Sequence, residues 1–306
     1  MSRIHEALRK AAEEKTRQGG TLPSDLVELA AGSSAANFLD QARITSPVTA
    51  ESAAQSLRFE ELLKHCAHPA WHINSQLNAF HNTAENPLGA ERFRTLRGRL
   101  FQISDVQPLK RVLVTSSLPA EGKTFVAANL AQSIVQQPDQ RVLLIDADLR
   151  LPQLHATLGA PKSPGLTEYL LGTADEYSIV QHGSDGNLCF IPSGSDVSKP
   201  SELLMNDRFK QLLDRFTPVF DWIIIDSPPA LPVHDASIIA KDCDGVLFVV
   251  RAAMTNYDSA AKATEEFTDK RLLGVVFNGA TGSGTYGDYY YHYGQDGANG
   301  KKQLST

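Results

Sequence analysis

The stretch Ser117-Leu118-Pro119-Ala120-Glu121-Gly122-Lys123-Thr124 decides the fold. It follows a short apolar run, Arg111 to Ser116, and opens a segment with Val126, Leu130 and Ile134 at helical spacing. A glycine-lysine-threonine turn between a strand and a helix is the setting in which backbone N–H groups face phosphate oxygens. The lysine of such a loop reaches the terminal phosphates, and the hydroxyl next to it ligates magnesium. Ser117 stands where the first glycine of the usual pattern would be.

Two acidic groups lie downstream, each at the polar end of an apolar strand. Asp146 and Asp148 close the run Arg141 to Ile145, and Asp226 closes Trp222-Ile223-Ile224-Ile225. In extended chain, residues two apart share a side, so Asp146 and Asp148 face one point. Three neighbouring carboxylates repel one another unless a cation offsets them. Lys123 for phosphate, with Thr124, Asp148 and Asp226 for the metal, therefore reads as a site for a magnesium nucleotide. One aspartate of the Asp146 and Asp148 pair is a candidate proton acceptor, and the residues alone leave open which.

The rest of the chain is arranged to build such a site. Further apolar runs occur at Leu188 to Ile191, Val246 to Val250 and Leu272 to Phe277. Helical spacing is read at Leu88 to Gln102, Gly122 to Val135, Leu203 to Arg215, Asp235 to Lys241 and Ser259 to Thr268. This alternation predicts an α/β fold of the P-loop NTPase type, a mostly parallel sheet with helices on both faces. The strands are apolar without alternation, as strands covered on both sides are. Ligands of such sheets bind beyond the carboxyl ends of the strands, where the loop and the aspartates fall. Arg251, Thr255 and Asn278 follow strand ends as well, placed to line the pocket or brace its loops, with Asn278 read as a base-side contact, while Arg150 is read as meeting phosphate or pairing with Asp146 and Asp148.

The chain divides into three parts: a helical and linker segment over 1–80, a nucleotide domain over 81–285 and a tail over 286–306. The first part opens with Ile4, Leu8 and Ala11 on one helical face, a docking element for another protein. It breaks at Gly19-Gly20, and a second helix is expected from Ala53 to Leu63. His65, Cys66, His68 and His72 resemble a ligand set, but Pro69 interrupts them and no second ligand pair follows, so they are read as a linker. The tail carries Tyr286, Tyr289, Tyr290, Tyr291 and Tyr293 among glycines, with little to bury and much to phosphorylate.

The bulk numbers narrow the class. A formal net charge of −6 over 306 residues is no footprint for nucleic acid. Cys66, Cys189 and Cys243 form no close pair, which fits a reducing compartment. No apolar stretch approaches the roughly 20 residues that span a bilayer, and no secretory leader is read at the start. The expectation is a cytoplasmic protein that meets the inner membrane only through a protein partner.

At these motifs the chain resembles the bacterial protein-tyrosine kinases of capsule and exopolysaccharide systems. The resemblance is carried by Ser117 to Thr124, by Leu143-Leu144-Ile145-Asp146-Ala147-Asp148-Leu149-Arg150, by Ile223 to Pro229, by a helix motif at Glu91, Arg94 and Arg97, and by the tyrosine cluster. It spans about residues 86 to 293. Ala120 departs from the glycine often found there.

The resemblance implies an ATP- and magnesium-dependent tyrosine autokinase of the stand-alone form. Lys123, Asp146, Asp148 and Asp226 would be catalytic. Ala120, Glu121, Gly122, Lys123, Thr124 and Phe125 would meet the nucleotide. It further implies ring assembly through Glu91, Arg94 and Arg97, tail tyrosines entering a neighbour's site, a membrane copolymerase as activator and a cognate phosphatase. Without it, Glu91, Arg94 and Arg97 form an intrahelical salt-bridge face. The competing class is a partitioning or site-positioning ATPase of the MinD and ParA kind, a membrane-associated switch. Those ATPases place an extra lysine where this chain has Leu118.

Overall fold

The computed structural model describes residues 57–81, 87–183 and 186–280, all within one compact unit that begins at Ala54. The opening segment with Ile4, Leu8 and Ala11 and the tyrosines from Tyr286 to Tyr293 lie outside the described residues.

Among the described residues seven strands form one sheet: β1 (Arg111–Ser116), β2 (Val142–Asp146), β3 (Gln181–His182), β4 (Leu188–Ile191), β5 (Trp222–Asp226), β6 (Gly245–Arg251) and β7 (Leu272–Asn278). Their order is β3-β4-β2-β5-β1-β6-β7. Every pairing is parallel except that of the two-residue edge strand β3 with β4.

In β1, β2, β4, β5 and β6 the continuous apolar runs follow from coverage on both faces, whereas the edge strand β7 leaves Leu272, Val275 and Phe277 exposed, against the expectation for that run. Alternate residues feed two separate cores. Leu113, Leu143, Ile145, Ile223 and Ile225 face one, and Val112, Val114, Val142, Leu144 and Ile224 face the other. On the first face α5 (Leu166–Leu171), α7 (Asp207–Phe216), α8 (Asp235–Ala240) and α9 (Tyr257–Glu265) contribute buried residues, joined by α1 (Phe59–His65). On the second lie α2 (Pro87–Val106), α3 (Lys123–Val135) and α4 (Leu154–Leu158). The strand order reverses between β1 and β2, with β5 inserted between them. That reversal opens the crevice in which doubly wound sheets hold ligands.

Three expectations need correction. The helix read over Leu203 to Arg215 is two helices, α6 (Pro200–Leu204) and α7. Asn206 separates them by accepting the Arg208 N–H at 3.1 Å, a side-chain cap that restarts the helix. The second amphipathic piece is helical only over Phe59–His65 within the described residues. The compact unit also takes in chain that the reading assigned to 1–80. Leu57, Phe59 and Leu62 are buried in the first core.

Past α1 the chain straps the sheet. Ala67 bridges Gln181, the Asn74 N–H donates to the Thr157 carbonyl at 3.1 Å, and the Ala79 N–H donates to Asn129 Oδ1 at 2.7 Å. A Cβ at Gly159 would lie 2.2 Å from the His72 carbonyl oxygen, so the strap passes where only glycine leaves room. The strap also occupies the polar cluster. His65 Nδ1 lies 2.9 Å from the Glu61 carbonyl and His68 Nε2 2.7 Å from the Leu63 carbonyl.

Candidate nucleotide site at the strand ends

The phosphate loop connects β1 to α3. Gly122 caps the helix with φ +95°, and Ala120 sits at φ +65°. An L-residue in that region costs roughly 1–2 kcal/mol, which is why glycine is common there. The conformation is held from outside. Arg251 Nη1 donates to the Ala120 carbonyl at 2.9 Å, and Asn278 Nδ2 donates to the Glu121 carbonyl at 3.0 Å. The Glu121 carboxylate, itself buried, accepts from the Leu118 N–H at 3.0 Å and from Thr255 Oγ1 at 2.5 Å. Glu121 is thus the internal tie of the loop, and the ends of β6 and β7 serve as its frame.

The acidic group forms where β2 and β5 run side by side. Asp146 and Asp226 are register partners, both wholly buried. Asp146 accepts the Asp148 N–H at 3.3 Å and the Leu154 N–H at 3.1 Å. Asp148 Oδ1 accepts from the N–H groups of Arg150 (3.3 Å) and Leu151 (3.0 Å), while its Oδ2 lies 2.9 Å from Lys123 Nζ. Neither carboxylate oxygen of Asp226 has a hydrogen-bond partner. Lys123, Asp146, Asp148 and Asp226 are therefore drawn together, as the motif spacing implied.

Electrostatics record the crowding. Burial pushes the Asp226 carboxyl up to about 6, although Lys123 and the nearby Thr124 hydroxyl pull the other way. That hydroxyl helps by proximity and makes no hydrogen bond of ordinary geometry to Asp226. Burial and the neighbouring Asp226 raise Asp146 well above the carboxylate range. Burial alone would lower Lys123, but Asp226, Asp148 and Asp146 together outweigh it and hold the ammonium up.

Two buried carboxylate oxygens without partners are costly unless something meets them. A divalent cation is the species this donor set fits. Among the described residues no three acidic, histidine or cysteine side chains close around one point. A cation here would draw few ligands from protein and the rest from phosphate and water, which is the habit of magnesium. Asp226, whose two buried oxygens have no partner, is the carboxylate of this group that could meet such an ion.

The other expected contacts lie as follows. Arg150 turns its guanidinium onto Asp235, Nε to Oδ2 at 2.7 Å and Nη2 to Oδ1 at 3.1 Å. Phe125 packs edge-on against Phe93, ring centroids 5.7 Å apart. Asn278 lies directly on Gly122, where a Cβ would come within 1.9 Å of its Nδ2. Glu91 and Arg94 form an exposed pair at 3.1 Å, and Arg97 Nη1 donates to the Ser133 carbonyl at 2.5 Å. Sequence reading missed Asp235, Ser201 and Asn129. Asn129 alone had a visible signal, an amide on the apolar face of α3. Its Nδ2 donates to the carbonyls of Leu77 (2.9 Å) and Phe125 (2.8 Å).

A phosphate loop, two strand-end acidic groups and a doubly wound parallel sheet define a nucleotide-binding protein of the P-loop class. Its family follows from comparison. Residues 120–265 match the family model described as "AAA domain". Tyrosine-protein kinase YwqD of Bacillus subtilis (strain 168) is 35% identical over 223 residues, covering 72% of this chain and 93% of that protein. Tyrosine-protein kinase wzc of Salmonella typhimurium is 35% identical over 229 residues, but this chain spans only 31% of its length. The kinase domain of Escherichia coli tyrosine kinase ETK superposes with a TM-score of 0.59 at 32% identity, covering 67% of this chain and 83% of that one. The chain belongs to the bacterial tyrosine-protein kinase family. Among the described residues no helix is long and apolar enough to cross a membrane.

Proposed function

We propose that this chain is an ATP-dependent autokinase that transfers the γ-phosphoryl group to its own carboxyl-terminal tyrosines, Tyr286, Tyr289, Tyr290, Tyr291 and Tyr293. The observation that carries the reading is the pair of unpartnered, buried Asp226 oxygens beside Asp146 and the Lys123–Asp148 contact. Bound magnesium ATP supplies the phosphoryl group. Lys123 offsets charge on the transferring phosphate. A tyrosine phenol is a poor nucleophile while protonated, so its proton passes to a carboxylate of the Asp146 and Asp148 pair. Asp226, Asp148 and Thr124 hold the metal.

The acceptor tyrosines come from a neighbouring copy, in a ring that uses Glu91, Arg94 and Arg97. Phosphates added to several adjacent tyrosines repel one another and the acidic site, which loosens that assembly. The cycle sets the length or export of a capsular or exopolysaccharide polymer, with a membrane copolymerase as activator and a tyrosine phosphatase as the reverse arm. The enzyme works in the cytoplasm and reaches the inner membrane through that copolymerase. Leu118 in place of a second loop lysine speaks against a partitioning ATPase.

The test is phosphotyrosine mapping by mass spectrometry after incubation with magnesium ATP. Phosphate on one or more of the five tail tyrosines, absent from Lys123→Met, is the expected result. ATP hydrolysis without any phosphotyrosine would overturn the reading in favour of a switch ATPase.

A further inference from the structure

Arg150 is the meeting point of three loops that leave the carboxyl edge of the sheet. It lies on the loop after β2, only two residues beyond Asp148. Asp235, which begins α8 on the chain leaving β5, accepts two hydrogen bonds from its guanidinium at 2.7 and 3.1 Å. Ser201 in α6, on the chain leaving β4, accepts from Arg150 Nη2 at 2.8 Å and donates to Asp235 Oδ1 at 2.5 Å. Asp235 is wholly buried, so this bidentate pair is shielded on its acidic side and worth more than a surface ion pair.

The linkage continues toward the reacting centre. The backbone N–H groups of Arg150 and Leu151 both donate to Asp148 Oδ1, and the other oxygen of Asp148 meets Lys123. The orientation of Asp148 is therefore set by the backbone at Arg150. That backbone is fixed in turn by a side chain clamped between two other loops. Nothing in this arrangement leaves the Arg150 fork free to turn to phosphate while Asp235 holds it.

We infer that Asp235, with Ser201, is a positioning residue that fixes Asp148 through Arg150 without touching nucleotide or tyrosine. The inference rests on the kinase reading of the site, and it assigns Arg150 a bracing role in place of phosphate contact. Arginine is required because only its planar fork spans both Asp235 oxygens while a further N–H reaches Ser201.

The experiment compares wild type with Asp235→Asn, Arg150→Lys and Ser201→Ala. Tail phosphorylation by the wild type in the same assay establishes the kinase reading separately. Its absence would sink that reading and leave the geometric inference to a second measurement. That measurement is the acylation rate of Lys123 in nucleotide-free protein, followed by mass spectrometry. Loss of the clamp frees Asp148 from Lys123, so the amine of Asp235→Asn should react several-fold faster than in wild type.

In the activity arm, Asp235→Asn and Arg150→Lys should lower kcat at least tenfold and raise the magnesium concentration for half-maximal rate. Nucleotide affinity measured in EDTA should stay within twofold of wild type. Ser201→Ala, which removes one hydroxyl, should shift the same quantities in the same direction by a smaller factor, and it keeps the test open if Asp235→Asn does not fold. Wild-type Lys123 reactivity and magnesium dependence in the variants would overturn the inference. So would an equal loss of nucleotide affinity with and without magnesium, because that marks general damage to the fold.

Discussion

Asp226→Asn should make the nucleotide-free protein more stable while abolishing phosphoryl transfer. Asp226 is wholly buried between β1 and β2, and neither of its oxygens has a hydrogen-bond partner. Its carboxyl is raised from the usual 3.8 to about 6, with burial the chief cause. Folding therefore favours the neutral acid. The stability contributed by this group is complete below about pH 4, falls as pH rises from there through about 6, and is fully lost above. A shift of about two pKa units corresponds to about 3 kcal/mol at pH 8. At pH 5 the carboxylate is still mostly protonated in the fold, and about half of that cost applies.

The asparagine amide imitates the neutral acid and carries no such cost. In EDTA at pH 8 the variant should melt about 6–12 °C above wild type, taking roughly 2–4 °C per kcal/mol for a domain of this size. The gain should shrink by about half at pH 5. Magnesium ATP should then reverse the order, raising the melting temperature of wild type and leaving the variant almost unmoved, because the carboxylate is needed to meet the cation. Differential scanning fluorimetry over this pH range, with and without magnesium ATP, measures all three. A variant less stable than wild type at pH 8, or a gain that does not change with pH, would refute the electrostatic account of the site.

Gly122→Ala should lower the melting temperature and weaken magnesium ATP binding at least tenfold by titration calorimetry, since φ is +95° and the new Cβ would meet Asn278 Nδ2 at 1.9 Å. Adding Asn278→Ala removes that contact and should restore part of the stability but not the strain of about 1–2 kcal/mol in the backbone. An Arg94→Ala, Arg97→Ala double variant should dissociate assemblies seen by light scattering while losing only about 1 kcal/mol of stability, the worth of the Arg97 hydrogen bond to the Ser133 carbonyl. The Glu91–Arg94 pair is exposed and contributes about 0.2–0.5 kcal/mol. An unchanged mass would count against assembly through this helix.

The central sheet was legible in the sequence because β1, β2, β5 and β6 are unbroken runs of three to five apolar residues ending in a polar group, and β4 and β7 are nearly as apolar. Such runs are stable only inside a sheet covered on both faces, and their polar ends mark the edge where ligands sit. The boundaries moved by a residue. Asp146, Asp226 and Asn278 belong to the strands and were read as lying just past them. The two-residue β3 and the five- and six-residue helices α4 and α5 were not legible, since stretches that short show no period.

Sequence alone determined the phosphate loop, the acidic partners and the order of strands and helices, because these depend on residue type and near-neighbour spacing. Tertiary structure decided which side chains are committed elsewhere. Glu121, Phe125 and Arg150 fall within motif range of the nucleotide, yet Glu121 ties the loop, Phe125 packs on α2 and Arg150 is held by Asp235. Asp235 stands 85 residues from Arg150 in the chain. Pairing over that separation comes from the crossing of loops at the sheet edge, a property of topology that no local pattern records. The same holds for the unpartnered oxygens of Asp226, whose isolation depends on β1 and β2 enclosing β5 from both sides.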